Sequence, residues 1–277
     1  MLHGILPWVV GCSRGPEPSA FPQEWDPADA MQAVARRFTG KPGVVLHVGD
    51  SITLDPAYAA WPLSGRGRSP ADDALLRWLH AGARDESDGW WLCSTLLAPK
   101  KSATAFAGVQ LRQLLVGKLS GVTLEAILRR FRPQVVVFLI GTNDATARRS
   151  VSGFAADLRQ AVELMTAQGI VPVLTTLPPH ARQPRLARRY NVAIHSFART
   201  AQMPLIDYHG EILRRRPTDW NGTLLERDGL HPTAGITAAD EPTEANLADS
   251  GYLLRAWLSV RKLAEVKERV FDPLAKN

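Results

Sequence analysis

Short apolar runs recur along this chain and alternate with longer amphipathic segments. The runs cover Val44–Val48, Gly89–Leu97, Val135–Ile140, Ile170–Thr176 and Pro204–Asp207, and the second has the weakest pattern. Continuous apolar runs are typical of strands that are buried on both faces of a parallel sheet. Helical patterns lie between them, clearest at Ser152–Gln168 and Leu186–Gln202. The alternation predicts an α/β fold: a single-domain, three-layer α/β/α sandwich with a mostly parallel, flavodoxin-like, five-stranded sheet.

The start of the chain has a different composition from this central part. Residues 13–26 are rich in Pro, Gly and Ser, and we interpret residues 1–25 as an N-terminal arm. A helix is predicted from Asp26 to about Phe38, because an Asp-Pro pair is a common helix start. The domain is therefore expected to span residues 26–277.

Two further segments look like additions to the sheet and its helices. Residues 57–69 contain Trp61-Pro62 and two glycines, and we expect a turn-rich loop there that could form one wall of a site. A C-terminal helix is predicted from about Leu247 to Phe271, with one apolar face formed by Leu253, Trp257, Val260 and Leu263. Packing on the domain is the default interpretation of that face, and a partner interface is the alternative.

Composition limits the classes of protein to which the chain can belong. Its 277 residues carry a formal charge of +6, but the Lys and Arg residues are scattered through helix-like segments, so we predict solvated helix faces and no nucleic-acid binding. No apolar run approaches the length of a membrane span, and no transmembrane segment is predicted. Two cysteines, Cys12 and Cys93, are too few for a disulfide framework or a cysteine zinc site.

Cys12 raises the question of export. Val9-Val10-Gly11-Cys12 resembles the lipobox at which bacterial lipoproteins are cleaved and lipidated, yet no Lys or Arg precedes it and eleven residues are few for an export signal. As written, the sequence predicts a cytoplasmic protein with a frayed N-terminus. Export or lipid anchoring at Cys12 is the alternative if the true start lies upstream.

Three polar motifs supply the candidate functional residues. Gly49-Asp50-Ser51 directly follows Val44–Val48, and Gly141-Thr142-Asn143-Asp144 follows Val135–Ile140, so both lie at the carboxyl ends of predicted strands, where ligands bind in parallel sheets. Asp228-Gly229-Leu230-His231 places a carboxylate and an imidazole three residues apart, close enough to form a base with its orienting acid. Taken singly, each motif is also an ordinary turn or helix-cap sequence.

Together and in this order, the motifs resemble those of the SGNH hydrolase family, also called GDSL esterases. The resemblance spans roughly Val44 to Thr233 and includes Tyr190-Asn191. It implies a serine esterase in which Ser51 is the nucleophile, His231 the base and Asp228 its orienting carboxylate. It also implies an oxyanion hole formed by the backbone amide of Ser51, a glycine amide and the side chain of Asn143.

The glycine of the oxyanion hole has two candidates. Gly108 follows the small-residue run 102–107 and precedes an apolar segment, as expected where a strand ends and a helix begins. Gly121 looks more like the literal family pattern, but it leaves only a tight crossover before Pro133. We favour Gly108 and keep Gly121 as its rival.

The remaining polar residues are given lesser roles. Asp50 is interpreted as a backbone-bonding loop residue, His47 and His195 as structural histidines, and His180 as an exposed loop residue that could border the site. No His pair has metal-ligand spacing with a carboxylate, so no metal and no cofactor is predicted.

The expected substrate is a small-molecule or carbohydrate ester. Trp61, Trp90, Trp91 and Trp220 offer rings for stacking on sugars, although tryptophan is more often a core residue. With the family resemblance, this favours hydrolysis of short-acyl or carbohydrate O-acetyl esters. The alternatives are a lipase or thioesterase-like hydrolase of longer acyl chains, an acyltransferase, and a non-catalytic binding protein on the same fold. The sequence predicts no oligomeric state.

Overall fold

Four parallel strands form the centre of the fold, in the order β1 (Val45–Gly49), β2 (Val135–Leu139), β3 (Val171–Thr175) and β4 (Leu205–Ile206). The computed structural model describes residues 24–79, 102–238 and 240–276. Every residue of the four strands is buried, as their apolar composition predicts. The register pairs Val45 with Val135 and Val135 with Val171, so the three long strands begin level with one another.

Helices occupy the segments between and beyond the strands. Their bounds are α1 (Ala28–Ala35), α2 (Ser51–Leu54), α3 (Ala57–Ser64), α4 (Pro70–Trp78), α5 (Leu111–Val116), α6 (Leu124–Phe131), α7 (Thr142–Thr146), α8 (Val151–Thr166), α9 (Pro184–Thr200), α10 (Tyr208–Arg215), α11 (Glu244–Leu247), α12 (Gly251–Val266) and α13 (Asp272–Leu274), with a π-helical turn at Lys267–Phe271. The α/β class and the parallel sheet flanked by helices are therefore confirmed.

The predicted number of five strands is not confirmed. The described residues form four strands, and the weakest predicted strand, Gly89–Leu97, lies outside them. On the side of β1 away from β2, the Gly49 N–H donates to the Thr104 carbonyl at 3.3 Å. The Gly49 carbonyl accepts from the Phe106 N–H at 3.0 Å. This isolated parallel bridge between Gly49 and Ala105 lies where a flavodoxin-like sheet has its second strand.

Residues 57–69 were expected to form a loop, and this is wrong for most of the segment. Ala57–Ser64 is the helix α3, which packs against α12, and Tyr58 and Trp61 are fully buried. The turn residues misled the prediction, because Pro56 precedes the first turn, where proline is tolerated, and Pro62 is accommodated inside the helix. The segment contributes to the core.

The C-terminal helix begins later than predicted. Ser250 caps a new helix by accepting a hydrogen bond from the Leu253 N–H at 3.2 Å, so α12 starts at Gly251 and is separate from α11. Leu253, Val260 and Leu263 are fully buried, as their spacing predicts. Arg255 and Ser259 are also buried, which the apolar pattern does not indicate. Within the described residues, no helix combines the length and apolar character needed to cross a membrane.

Candidate active site

Ser51 lies at the sharp turn from β1 into α2. Gly49 ends the strand, and a Cβ there would overlap both the carbonyl oxygen of Leu139 and the hydroxyl of Thr53, so only glycine fits. Asp50 is the extended N-cap residue, whose Oδ1 accepts from the Ile52 N–H at 3.0 Å. Ser51 is consequently the first helical residue, half-buried at the carboxyl edge of the sheet.

The Asp228–His231 segment forms a turn held by its own side chain. Asp228 Oδ1 accepts from the N–H of Leu230 at 2.8 Å and from that of His231 at 3.1 Å. Gly229 has a φ of +68°, and its carbonyl accepts from the Ala181 N–H at 3.0 Å. A Cβ on Gly229 would overlap the side chain of Ala181, so this turn needs glycine for both its conformation and its close packing.

The turn places the His231 ring between Asp228 and Ser51. Asp228 Oδ2 lies 2.6 Å from His231 Nδ1, and His231 Nε2 lies 3.0 Å from the Ser51 hydroxyl oxygen. A carboxylate can only accept, so the hydrogen bonds assign the proton to Nδ1 and leave Nε2 as the acceptor for the serine hydroxyl. This arrangement can remove a proton from Ser51 as the hydroxyl attacks an electrophile.

The charge on Asp228 suits that role. Partial burial alone would raise its pKa, but hydrogen bonds from the His231 ring and from the N–H groups of His231 and Leu230 outweigh burial and lower the pKa below its ordinary value. Asp228 therefore remains a carboxylate, able to stabilise an imidazolium. The side chains of His231 and Asp228 are 41% and 40% exposed, so the pair lies at the protein surface.

Asn143 lies in α7 just after β2, next to the turn from β1 into α2 that holds Ser51. Its Nδ2 donates to Asp50 Oδ2 at 3.2 Å and to the Val109 carbonyl at 3.2 Å. Both amide hydrogens thus have acceptors in this resting structure. The hydrogen bond from Asn143 to Asp50 therefore joins the Gly141–Asp144 motif to the Gly49–Ser51 motif, next to Ser51.

The two candidate glycines differ in what their backbone N–H groups contact. Both have a positive φ, +75° at Gly108 and +71° at Gly121. The Gly121 N–H donates to the Gly117 carbonyl at 3.1 Å and is therefore occupied, whereas no acceptor for the Gly108 N–H lies among residues 24–79, 102–238 and 240–276. Gly108 also directly precedes Val109, which contacts Asn143.

Asp50 has a larger role than its sequence context indicates. It is fully buried, and burial raises its pKa to about 6 despite the Ile52 N–H and the charge of Arg255, which lower it. Its two oxygens join the cap of α2 to the side chain of Asn143. The local sequence indicates the backbone contact but not the hydrogen bond to Asn143, because Asn143 is 93 residues away.

Asp144, the last residue of the third motif, fixes the position of α7. Its buried carboxylate accepts from the Leu111 N–H at 3.0 Å and from Arg149 at 2.6 Å. Arg149 also contacts Asp157 of α8 at 2.7 Å. This network holds the residue next to Asn143, and nothing in the local sequence indicated it.

The other histidines have structural contacts. His47 is buried, with Nδ1 2.8 Å from the Tyr58 hydroxyl, and His195 lies edge-on to Trp25. His180 was expected to be exposed but is 2% exposed, because its Nδ1 accepts from the N–H groups of Arg182 and Gln183 at the start of α9. His180 Nε2 then faces the Thr146 hydroxyl at 3.1 Å.

The remaining residues of the predicted site also divide between core and surface. Trp61 is fully buried and cannot stack on a sugar, Trp220 is partly buried, and Trp90 and Trp91 lie outside the described residues, as do Cys12 and Cys93. The side-chain amide of Asn191 forms hydrogen bonds with both the N–H and the carbonyl of Leu177.

In the described part of the chain, no three His, Cys, Asp or Glu residues are grouped so that they could hold a metal ion.

Comparison with known proteins gives a family and a fold. The family model described as GDSL-like lipase/acylhydrolase matches residues 47–236. A search of curated protein sequences found no match.

Several solved structures share the fold at low sequence identity. A mutant acetyl esterase solved with an acetate ion is 17% identical, with a TM-score of 0.55, over 82% of this chain and 98% of its own. A carbohydrate esterase family 3 protein from Talaromyces cellulolyticus is 16% identical, with a TM-score of 0.54, over 82% and 98%. An acetyl xylan esterase from Geobacillus stearothermophilus is 16% identical, with a TM-score of 0.51, over 82% and 96%.

Proposed function

The chain belongs to the GDSL-like lipase/acylhydrolase family and is an ester-bond hydrolase, and from that premise we propose that it acts through an acyl-enzyme formed on Ser51. One observation carries the proposal: an unbroken line of contacts from the Ser51 hydroxyl to His231 Nε2 at 3.0 Å and from His231 Nδ1 to Asp228 at 2.6 Å. These residues meet across 180 positions of sequence. A surface histidine with a purely structural role has no need of both contacts.

In the first half of the reaction, the Ser51 oxygen attacks the ester carbonyl while its proton passes to His231 Nε2. Asp228 keeps the ring oriented and balances the positive charge of the imidazolium. The tetrahedral intermediate then collapses, the bond to the alkoxy oxygen breaks, and His231 returns the proton to the leaving alcohol. Ser51 is left as an ester of the acyl group.

In the second half, water replaces the alcohol. His231 takes a proton from the water as it attacks the acyl-enzyme, and the second tetrahedral intermediate releases the carboxylic acid while His231 returns the proton to the Ser51 oxygen. The side chains end in their starting protonation states. Water reaches His231 directly, since the ring is partly exposed.

The oxyanion is proposed to be held by the N–H groups of Ser51 and Gly108 and by the Asn143 side chain. As the first residue of α2, Ser51 has no intrahelical acceptor for its N–H. The Gly108 N–H donates to no other residue in the described part of the chain. Asn143 would give the oxyanion the hydrogen that it directs to Val109 in the resting state, keeping its bond to Asp50.

We propose short-acyl esters, including O-acetyl groups on carbohydrates, as the substrates. The fold that this chain shares with an acetyl esterase and with an acetyl xylan esterase supports this class of substrate. The exposure of the His231–Asp228 pair also favours a shallow site that a sugar can approach.

A chain-length series of p-nitrophenyl esters, from acetate to palmitate, tests this assignment. We expect kcat/KM to be highest for the acetate and the Ser51→Ala variant to lose ester hydrolysis by several orders of magnitude. A preference for long chains would support a lipase or thioesterase instead. Ester products formed with added sugar or alcohol acceptors would support an acyltransferase, and complete inactivity of the folded protein would support a binding role.

A further inference from the structure

Arg255 of α12 is a buried cation directly behind the nucleophile helix. Its side chain is 1% exposed, and within the described residues no carboxylate forms an ion pair with it. Nη1 donates to the Ile52 carbonyl at 2.8 Å, and Nη2 donates to the Thr53 hydroxyl at 2.8 Å. Both acceptors belong to α2, the helix that begins at Ser51.

These contacts satisfy the far end of a very short helix. α2 has four residues, so the Ile52 carbonyl has no intrahelical N–H partner and needs a donor from elsewhere. A cation is also favoured where helical carbonyls are exposed. Burial of a charge is costly unless hydrogen bonds compensate for the lost solvation, and the contacts of Arg255 with Ile52 and Thr53 provide part of that compensation.

The second contact extends to the glycine of the first motif. The Thr53 hydroxyl accepts the hydrogen bond from Arg255 Nη2. It packs so closely against Gly49 that a Cβ there would not fit. Arg255 thereby fixes the side chain of Thr53, which in turn packs against Gly49 at the end of β1. The charge of Arg255 also opposes the rise in the pKa of Asp50 that burial causes, which helps Asp50 remain an acceptor for Asn143.

A second set of contacts fixes the guanidinium itself. Its carbon lies 3.8 Å from the ring centroid of Tyr58. The Tyr58 hydroxyl contacts His47 Nδ1 and Ser259 Oγ, both at 2.8 Å, and Ser259 Oγ donates to the Arg255 carbonyl at 2.9 Å. Strand β1, α3 and α12 therefore hold the arginine in one orientation.

We propose that Arg255 is a positioning residue for the nucleophile: it holds the far end of α2 so that the Ser51 hydroxyl lies within hydrogen-bond distance of His231. This inference rests on the proposed function of Ser51. It gives a role to α12, which lies beyond residues 47–236 of the family match. Arg255 touches no reacting atom and acts through Ile52 and Thr53.

The test compares three arginine variants by the rate at which a fluorophosphonate labels Ser51. R255M removes the donors and keeps most of the volume, and R255K keeps a charge. R261M removes an arginine of the same helix that pairs with Asp72 and, within the described residues, forms no hydrogen bond or ion pair with α2. Misplacement of the nucleophile by about 1 Å can cost on the order of 10²-fold in rate. We expect labelling and kcat to fall by about 10- to 100-fold in R255M with KM little changed, partial recovery in R255K, and wild-type labelling in R261M.

Thr53→Val provides a second route in case R255M does not fold. It removes the acceptor for Nη2 while keeping the shape of the side chain, and we expect labelling to slow by about 3- to 10-fold. Wild-type labelling rates in folded R255M or folded T53V would overturn the inference while leaving the proposed function intact. A wild-type protein that neither reacts with the probe nor hydrolyses esters would instead overturn the proposed function and, with it, the role of Arg255.

Discussion

The two sides of Ser51 are built in opposite ways. On one side, His231 and Asp228 form a turn whose side chains are about two-fifths exposed and whose contacts with each other span three residues. On the other side, the buried residues Asp50, Thr53 and Arg255 join parts of the chain that are up to 203 residues apart. The proposed base is thus a local surface structure, whereas the proposed nucleophile is held by the core.

This difference has an energetic consequence. Hydrogen bonds between partly exposed side chains contribute little to stability, so the His231–Asp228 pair can be altered without unfolding the protein. Buried polar groups are costly once a partner is lost, so changes behind Ser51 should affect both rate and stability. The predictions below test this separation.

The largest effect is expected from His231→Ala. Without its base, the Ser51 hydroxyl is a weak nucleophile, and kcat/KM should fall by at least about 10³-fold. The free energy of unfolding should change by no more than about 1 kcal/mol, since the side chain is partly exposed and its hydrogen bonds lie near the surface. Ester hydrolysis and urea denaturation of the same preparation measure both quantities, and a large loss of stability would contradict the contrast between the two sides.

Asn143→Ala should affect rate and stability together. Loss of an oxyanion donor is expected to lower kcat by about 10²- to 10³-fold. The buried carboxylate of Asp50 also loses a donor, which should lower the free energy of unfolding by about 1–3 kcal/mol. Asn221→Ala, at an exposed asparagine, is the control and should change neither quantity. An Asn143 variant with normal kcat would remove this residue from the oxyanion hole.

Gly229→Ala tests how precisely His231 must be positioned relative to Ser51. The new methyl group would overlap Ala181 and shift the Asp228–His231 turn, so we expect kcat/KM to fall by about 10²-fold. Gly222→Ala is a matched control, because Gly222 also has a positive φ, +92°, but among the described residues a Cβ there would meet only Arg227, at 3.7 Å. Equal losses of activity in both variants would show that backbone conformation, and not the contact with Ala181, is responsible.

The smallest effect concerns pH and Asp50. Burial raises the native pKa of Asp50 to about 6 from its ordinary value of 3.8, so as pH falls the native state takes up this proton before the unfolded state does. As pH falls through about 6 toward about 4, Asp50 should therefore add stability to the wild type relative to Asp50→Asn, by at most about 1 kcal/mol per pH unit. Denaturation of both proteins at pH 7.5 and pH 5 measures the difference, and a change of the opposite sign would mean that Asp50 does not carry a raised pKa.

Much of the fold could be predicted because its signals are local. The strands β1, β2 and β3 are continuous apolar runs, and α8 and α9 have clear helical periodicity, so their bounds were predicted within about two residues. The helix α3 was missed because Pro62 and the flanking glycines favour turns, whereas its packing against α12 depends on a distant part of the chain.

The residues of the candidate site were proposed from signals of the same local kind. Ser51, Asn143 and the Asp228–His231 pair each follow a recognisable local pattern, and strand order brings the first two to the same edge of the sheet. The contacts of Asp50, Asp144 and Arg255 depend on side chains that meet only in the folded state, and Arg255 had no signal beyond its place in an amphipathic helix. Local sequence therefore indicates the proposed reacting groups better than it indicates the groups that hold them.

Mass spectrometry of the acyl-enzyme tests the central claim most directly. The wild-type protein is mixed with p-nitrophenyl acetate, quenched with acid within milliseconds to seconds, and digested. We expect one acetyl group on the peptide that contains Ser51, absent from Ser51→Ala and strongly reduced in His231→Ala. Acetylation at another residue, or rapid hydrolysis by folded Ser51→Ala, would contradict the account.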